Sequence, residues 1–155
     1  MTRSGSLPEN HAVADRSTGY TRLPETTAWV PNTDTLPYRG TSAGGGYSTV
    51  EDLGRFAHAL LSHKLLSTHA TGLLITGKAG TLPGPLGGRY AYGVEDARDA
   101  DGNGWVGHGG GSLGMNGDLR IYPKSGYVVA VLANFDPPAA QRISEYLDAR
   151  LPAAR

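Results

Sequence analysis

The stretch that most constrains this chain lies at residues 104–114, which read Gly-Trp-Val-Gly-His-Gly-Gly-Gly-Ser-Leu-Gly. Trp105 and Val106 favour an extended strand, and the glycines after His108 then leave the backbone without side chains. Bare backbone lets another molecule approach closely. A glycine-rich strand with one polar ring is typical of a cleft wall. A bulged strand with a solvated histidine is the alternative interpretation.

Further strands are predicted on both sides of this stretch. Residues 116–122 and 127–133 have strand composition, and the turn at residues 123–126 predicts an antiparallel hairpin between them. Because residues 127–133 are almost wholly apolar, we expect them to be buried on both faces of the sheet. An earlier strand is predicted at residues 90–94, and a hairpin turn at residues 101–104 leads into the glycine-rich strand.

Three helices are predicted from spacing and caps. Ser48 and Glu51 have the spacing of a capping box, and apolar residues at helical spacing predict a helix over residues 49–62. Ser67 can cap a shorter helix that runs to Ile75. Two prolines at residues 137–138 open a last helix at about residues 138–150, whose predicted buried face holds Ile143, Tyr146, Leu147 and Leu151.

This order predicts an α+β fold, an antiparallel β-meander of three or four strands packed with helices. Residues 1–40 are polar and punctuated by prolines, so we expect them to be mostly irregular. A glycine- and proline-rich loop is expected at residues 78–88. The 155 residues are expected to form one domain.

Composition excludes several functions. The formal net charge is zero, which gives no basic field for nucleic acid. No apolar run reaches the roughly 20 residues that span a bilayer, and the first ten residues do not resemble a signal peptide. The sequence has no cysteine, and His58, His63 and His69 do not share a helical face. We therefore expect neither a metal nor a cofactor; the compartment cannot be inferred.

Three short motifs are interpreted as chance matches. Residues 40–44 match the Gly-x-Ser-x-Gly elbow of α/β-hydrolases but lack the buried strand that must precede it. Residues 72–79 approach a phosphate-binding loop but end in Ala79, where a hydroxyl is required. Residues 109–114 fit a dinucleotide-binding glycine pattern, yet a strand follows where that pattern needs a helix.

Two stretches together resemble a known family. Residues 41–56, Thr-Ser-Ala-Gly-Gly-Gly-Tyr-Ser-Thr-Val-Glu-Asp-Leu-Gly-Arg-Phe, resemble the segment that leads into a helix of the serine β-lactamase-like family. That family includes class C β-lactamases, DD-peptidases and esterases. Residues 107–114, with the strands at 119–123 and 129–134, resemble its third active-site box and the strands after it. The resemblance covers essentially the whole chain, as the C-terminal portion of that fold.

The resemblance implies a site at this box. Its pattern is Lys-[Ser/Thr]-Gly, or His-x-Gly in some branches, which places His108, Gly109 and Gly110 there. His108 and the backbone amide of Gly111 are then the catalytic candidates, the amide as an oxyanion-hole donor. Substrate-binding candidates are Gly109, Gly110, Ser112 and Tyr47. Tyrosines at strand ends are also common packing residues, which is the alternative for Tyr47.

The sequence also departs from the family. It has no Ser-x-x-Lys, the motif that carries the nucleophile, and no Tyr-x-Asn or Ser-x-Asn. We therefore expect the C-terminal part of a serine hydrolase that acts on an ester or amide when completed by an N-terminal half, and that is inactive and self-associating alone. A non-catalytic domain that binds a ligand or partner and a truncated product without function are the alternatives.

Overall fold

The computed structural model describes residues 1–8, 10–22, 24, 27–80 and 88–152. Seven strands and three helices lie in these ranges, together with a short 3-10 turn at Thr33–Thr35. The bounds are β1 Tyr20–Thr21, β2 Val30–Pro31, α1 Val50–Leu61, α2 Thr68–Ile75, β3 Arg89–Tyr90, β4 Glu95–Arg98, β5 Gly104–Ser112, β6 Met115–Ile121, β7 Val128–Ala133 and α3 Ala139–Asp148.

An antiparallel sheet in the order β3-β4-β5-β6-β7 organises the chain, and the predicted α+β class is confirmed. The predicted strand at residues 90–94 is wrong, because β3 ends at Tyr90 and a turn with Gly93 at φ 75° leads back into β4. Most of the predicted loop at residues 78–88 lies outside the described residues.

The two faces of the sheet pack against different helices. In the β5–β6 register Val106 opposes Ile121, so both side chains lie on one face. There they form the buried core with Ala57 and Leu60 of α1 and Ile75 of α2. The other face packs against α3, where the backbone amide of Ala140 donates to the Asn116 side chain at 2.7 Å. The sheet therefore has helices packed on both faces.

Strand β7 is less buried than its composition predicts. It lies at the edge of the sheet, and of its six residues only Val129 is buried, while Leu132 is 44% exposed. Both α1 and α3 contact β7, but five of its six residues are not fully buried, so the prediction that residues 127–133 are buried on both faces is wrong. An apolar run can reflect the composition of an edge strand as well as that of a central one.

The helix boundaries agree with prediction, but two details differ. Helix α1 is capped by Thr49, whose hydroxyl accepts from the Asp52 amide at 3.2 Å; Ser48 instead bonds Ser4, 2.8 Å between hydroxyl oxygens. Helix α3 buries Ala140 and Ser144 against the sheet. Its larger apolar side chains lie outward, with Ile143 51%, Tyr146 57% and Leu147 38% exposed and Leu151 partly buried, so the predicted buried face is wrong.

The described part of residues 1–40 crosses the end of the sheet and is joined to it by side-chain hydrogen bonds. The Asn32 amide donates to the Leu113 carbonyl at 2.8 Å, in the turn after β5. Asp136 accepts from the hydroxyl of Thr21 at 3.0 Å and from the amide of Gly114 at 2.6 Å. These contacts place the segment beside the glycine-rich end of β5.

Candidate functional site

An open cavity of about 1530 Å³ lies over the glycine-rich end of β5. One wall is β5 and β6, and the opposite walls are the N-terminal segment and the glycine loop that precedes α1. The cavity adjoins the core, because His108 opposes Leu119 on the face that carries Val106 and Ile121. Helices α1 and α2 cover only one end of this face, and the cavity occupies the other.

The structure brings most of the predicted site residues to this cavity. Its lining includes Tyr47, His108, Gly110, Gly111 and Ser112. Gly109 does not line it, because the alternation of β5 directs that position toward α3; a Cβ added there would lie 3.0 Å from Nε2 of Gln141. Its predicted contact with substrate is therefore not supported by its position.

Gly111 reaches the cavity with its backbone only. A Cβ added to Gly111 would lie 2.5 Å from Cγ of Pro137 and 2.9 Å from the Asn116 amide nitrogen, whereas a Cβ on Gly110 would meet nothing within 4 Å. Gly111 is thus required sterically, which a run of three glycines did not reveal.

The His108 ring has two hydrogen-bond partners. Its Nε2 lies 2.9 Å from the hydroxyl oxygen of Tyr90, and its Nδ1 lies against the carbonyl of Gly109. Tyr90 comes from β3 and meets the imidazole edge-on, with ring centroids 5.7 Å apart. The sequence alone does not reveal this pairing, since no local spacing links residues 18 positions apart.

Two of the serines that line the cavity, Ser4 and Ser48, form hydrogen bonds with residues other than His108. The Ser4 hydroxyl donates to Asp52 at 2.8 Å. Ser112 lines the cavity and is exposed, whereas Ser42 does not line it. Among the described residues, the hydrogen-bond partners of His108 include no serine, so the ring does not activate a serine hydroxyl in this arrangement.

A buried ion cluster supports the strands from the α3 side. The guanidinium of Arg120 pairs with Asp118 at 2.9 Å and with Asp148 of α3, and it lies 4.8 Å from the ring centre of Trp105. Burial alone would lower the pKa of Arg120, but the two carboxylates outweigh it and raise the pKa. Burial and the contact with Asp148 raise the pKa of Tyr122. These groups hold α3 against the strand behind the cavity.

The described part of the chain contains neither a cluster of metal ligands nor a membrane-spanning helix. No group of three or more His, Asp or Glu side chains there is arranged to hold a metal ion. Within the same ranges, no helix is long and apolar enough to cross a membrane.

Solved structures of two penicillin-binding proteins resemble this chain. A penicillin-binding protein from Bacillus halodurans matches with a TM-score of 0.87 and 28% identity, over 97% of this chain and 45% of that one. The octameric penicillin-binding protein homologue from Pyrococcus abyssi matches with a TM-score of 0.78 and 26% identity, over 96% of this chain and 34% of that one.

A third match shows a likeness of fold alone. The D-stereospecific amidohydrolase from a Streptomyces species has a TM-score of 0.64 and 23% identity, over 80% of this chain and 36% of that one. The chain thus spans less than half the length of each of these three structures. No curated protein gives a significant match.

The Beta-lactamase family matches residues 1–153, nearly the whole sequence. The antiparallel sheet and the three helices agree with this match. The chain therefore belongs to the Beta-lactamase family, within the serine β-lactamase and transpeptidase-like superfamily of serine hydrolases.

Proposed function

We propose that these residues form the C-terminal part of a serine hydrolase that transfers acyl groups from a carboxylic ester or small amide. The position of His108 beside the exposed backbone of Gly110 and Gly111, on one cavity wall, carries the proposal. Family membership supports the reaction class. The serine nucleophile is supplied by polypeptide outside these 155 residues, because the sequence contains no Ser-x-x-Lys.

In this reaction the serine oxygen attacks the carbonyl carbon of the substrate. The leaving alcohol or amine takes up a proton, and its bond to the carbonyl carbon breaks. Water then hydrolyses the acyl-enzyme. In this proposal the chain contributes the Gly111 amide, as a hydrogen-bond donor to the oxygen on which negative charge develops, and the His108 ring, which orients substrate or moves a proton. One such amide donor typically contributes about 10²–10³ in rate.

The preference for an ester or small amide over a β-lactam comes from the third box. His108-Gly109-Gly110 lacks the lysine and hydroxyl that the family uses to hold a lactam's carboxylate. Without that charge and hydroxyl, the affinity for an anionic bicyclic substrate is weaker. The expected substrates are therefore uncharged near the scissile carbonyl.

The test is a chimera in which residues 1–155 replace the matching part of the Bacillus halodurans penicillin-binding protein. We expect the isolated chain to hydrolyse p-nitrophenyl esters no faster than free imidazole, and the chimera to be active. His108→Ala should reduce chimera activity at least about tenfold, since general acid–base groups contribute about 10²–10⁴. His69→Ala, an exposed histidine that does not line the cavity, is the control.

Two outcomes would overturn the proposal. Turnover by the isolated chain that a serine-directed phosphonate abolishes, with the label on Ser42, Ser48 or Ser112, would show a self-sufficient hydrolase. A folded chimera that binds p-nitrophenyl esters but does not turn them over would favour a non-catalytic binding domain.

A further inference from the structure

The pairing of Tyr90 with His108 is produced by the fold and by no local motif. The two residues lie on β3 and β5, with β4 between these strands. The phenol oxygen is 2.9 Å from Nε2 of the imidazole, and the rings meet at 86°. Tyr90 is 38% exposed, so its hydroxyl could be solvated by water but bonds the ring instead.

The contact between His108 and the Gly109 carbonyl indicates which ring nitrogen carries the hydrogen. Nδ1 faces the carbonyl oxygen of Gly109, which can only accept, so Nδ1 carries the hydrogen. A neutral imidazole has one N–H, and Nε2 therefore offers a lone pair. The Tyr90 hydroxyl must then donate to Nε2.

We propose that Tyr90 is a positioning residue for His108. The Tyr90 hydroxyl holds the neutral imidazole in the Nδ1–H form and covers the lone pair on Nε2. The pairing itself is a property of this chain, but its meaning for catalysis rests on the proposed function. When the ring takes up a proton, Nε2 becomes a donor and the Tyr90 oxygen accepts, so one contact holds both charge states. A substrate group reaches Nε2 only by displacing the Tyr90 hydroxyl.

The first test measures the reactivity of Nε2 with diethyl pyrocarbonate, which acylates the free lone pair of neutral imidazole. Mass spectrometry of the full chain follows His108, with the exposed His58 and His69 as internal standards. We expect Tyr90→Phe to raise the rate at His108 about three- to tenfold, the range expected for loss of one hydrogen bond. Tyr92→Phe is the matched control, because Tyr92 is 64% exposed and stacks on Lys78 instead. Equal rates at His108 in wild type and Tyr90→Phe would overturn the proposal, as would an equal rise in Tyr92→Phe.

The second test needs only the wild-type chain. The ¹⁵N spectrum of histidine-labelled protein above pH 7.5, with the His108 signal assigned by its loss in His108→Gln, reports which ring nitrogen carries hydrogen. We expect hydrogen on Nδ1 and a pyridine-like Nε2, and a shift toward the Nε2–H form in Tyr90→Phe. Hydrogen on Nε2 in the wild type would refute the proposed Nδ1–H form, and with it the positioning role of Tyr90, whatever the chimera does. The expected spectrum together with an inactive chimera would refute the proposed function but leave the positioning of His108 by Tyr90 supported.

Discussion

The side-chain amide of Asn116 donates a 2.7 Å hydrogen bond to the carbonyl oxygen of Gly110, in the glycine-rich part of β5. Its oxygen accepts from the amide of Ala140 at 2.7 Å, in the first turn of α3. Asn116 is only 4% exposed. One buried side chain therefore fixes the distance between the cavity wall and the helix behind it.

Replacing Asn116 should destabilise the fold. Asn116→Ala leaves the Gly110 carbonyl and the Ala140 amide without these partners, and we expect a loss of about 1–3 kcal/mol in the free energy of unfolding. Urea denaturation monitored by circular dichroism measures it. Asn134→Ala, which removes one exposed hydrogen bond to the Thr18 carbonyl, should cost less than about 1 kcal/mol. Equal losses in the two variants would show that the two buried hydrogen bonds of Asn116 contribute no more than one exposed bond.

Neighbouring glycines of β5 should respond differently to a methyl group. Gly111→Ala places its Cβ 2.5 Å from Pro137, and we expect a destabilisation of about 1–3 kcal/mol from overpacking. Gly110→Ala adds a methyl group into open space and should change the free energy of unfolding by less than about 0.5 kcal/mol. Thermal unfolding of both variants decides the matter, and a Gly111→Ala melt that equals the wild type would show that Pro137 moves aside at little cost.

Asp52 should make the fold sensitive to acid. It has 0% exposure and accepts from the Arg3 amide, the Ser4 hydroxyl and Arg55. Burial alone would raise the pKa of Asp52, but these hydrogen bonds outweigh it and hold the pKa well below its usual range. Since the unfolded value is about 3.9, this stabilisation is complete above about pH 5 and is lost as the pH falls toward the lowered folded pKa.

Asp52→Asn should therefore lower the melting temperature by several degrees at pH 7. Between pH 5 and pH 3 the melting temperature of this variant should decrease less than that of the wild type. Glu145→Gln, an exposed carboxylate on α3, is the control and should leave the pH profile unchanged. Parallel profiles for wild type and Asp52→Asn would exclude Asp52 as the source of the acid sensitivity.

The outward face of α3 should promote self-association of the isolated chain. Ile143, Tyr146 and Leu147 expose apolar surface side by side on one helix. Ile143→Lys should shift the sedimentation profile toward monomer. Glu145→Lys introduces the same side chain at a polar position of α3, with a charge change of +2 rather than +1, and should have a smaller effect. If the chain sediments as a monomer at 100 μM before any substitution, the expected self-association is wrong.

The elements with strong local signals were predictable from the sequence. The apolar spacing of α1, the cap of α2 by Ser67 and the strand composition of β5 are properties of short windows, and the structure confirms all three. The choice between Ser48 and Thr49 as the cap was not, because Ser4, 44 residues away, binds the Ser48 hydroxyl. The face of α3 was not predictable either, because small residues pack against the sheet.

The candidate site divides in the same way. The prediction of the third box rests on its glycines and on His108, whose neighbours in sequence carry the resemblance, and the assignment stays a prediction. Tyr90 could not be assigned to His108, because that contact requires two hairpins to fold in register. The sequence does not show which residues of β5 face the cavity and which face α3. That Gly109 faces α3 was therefore not predictable.

The hydrogen bonds that tie residues 1–40 to the sheet join parts of the chain that are far apart in sequence. Thr21 and Asp136 are separated by 115 positions, and Thr18 and Asn134 by 116. Such contacts close large loops and form late in folding. We therefore expect this segment to be the last to acquire protection from hydrogen exchange and the first to lose it. The cavity would then lose one wall by local opening while the sheet that carries His108 stays folded.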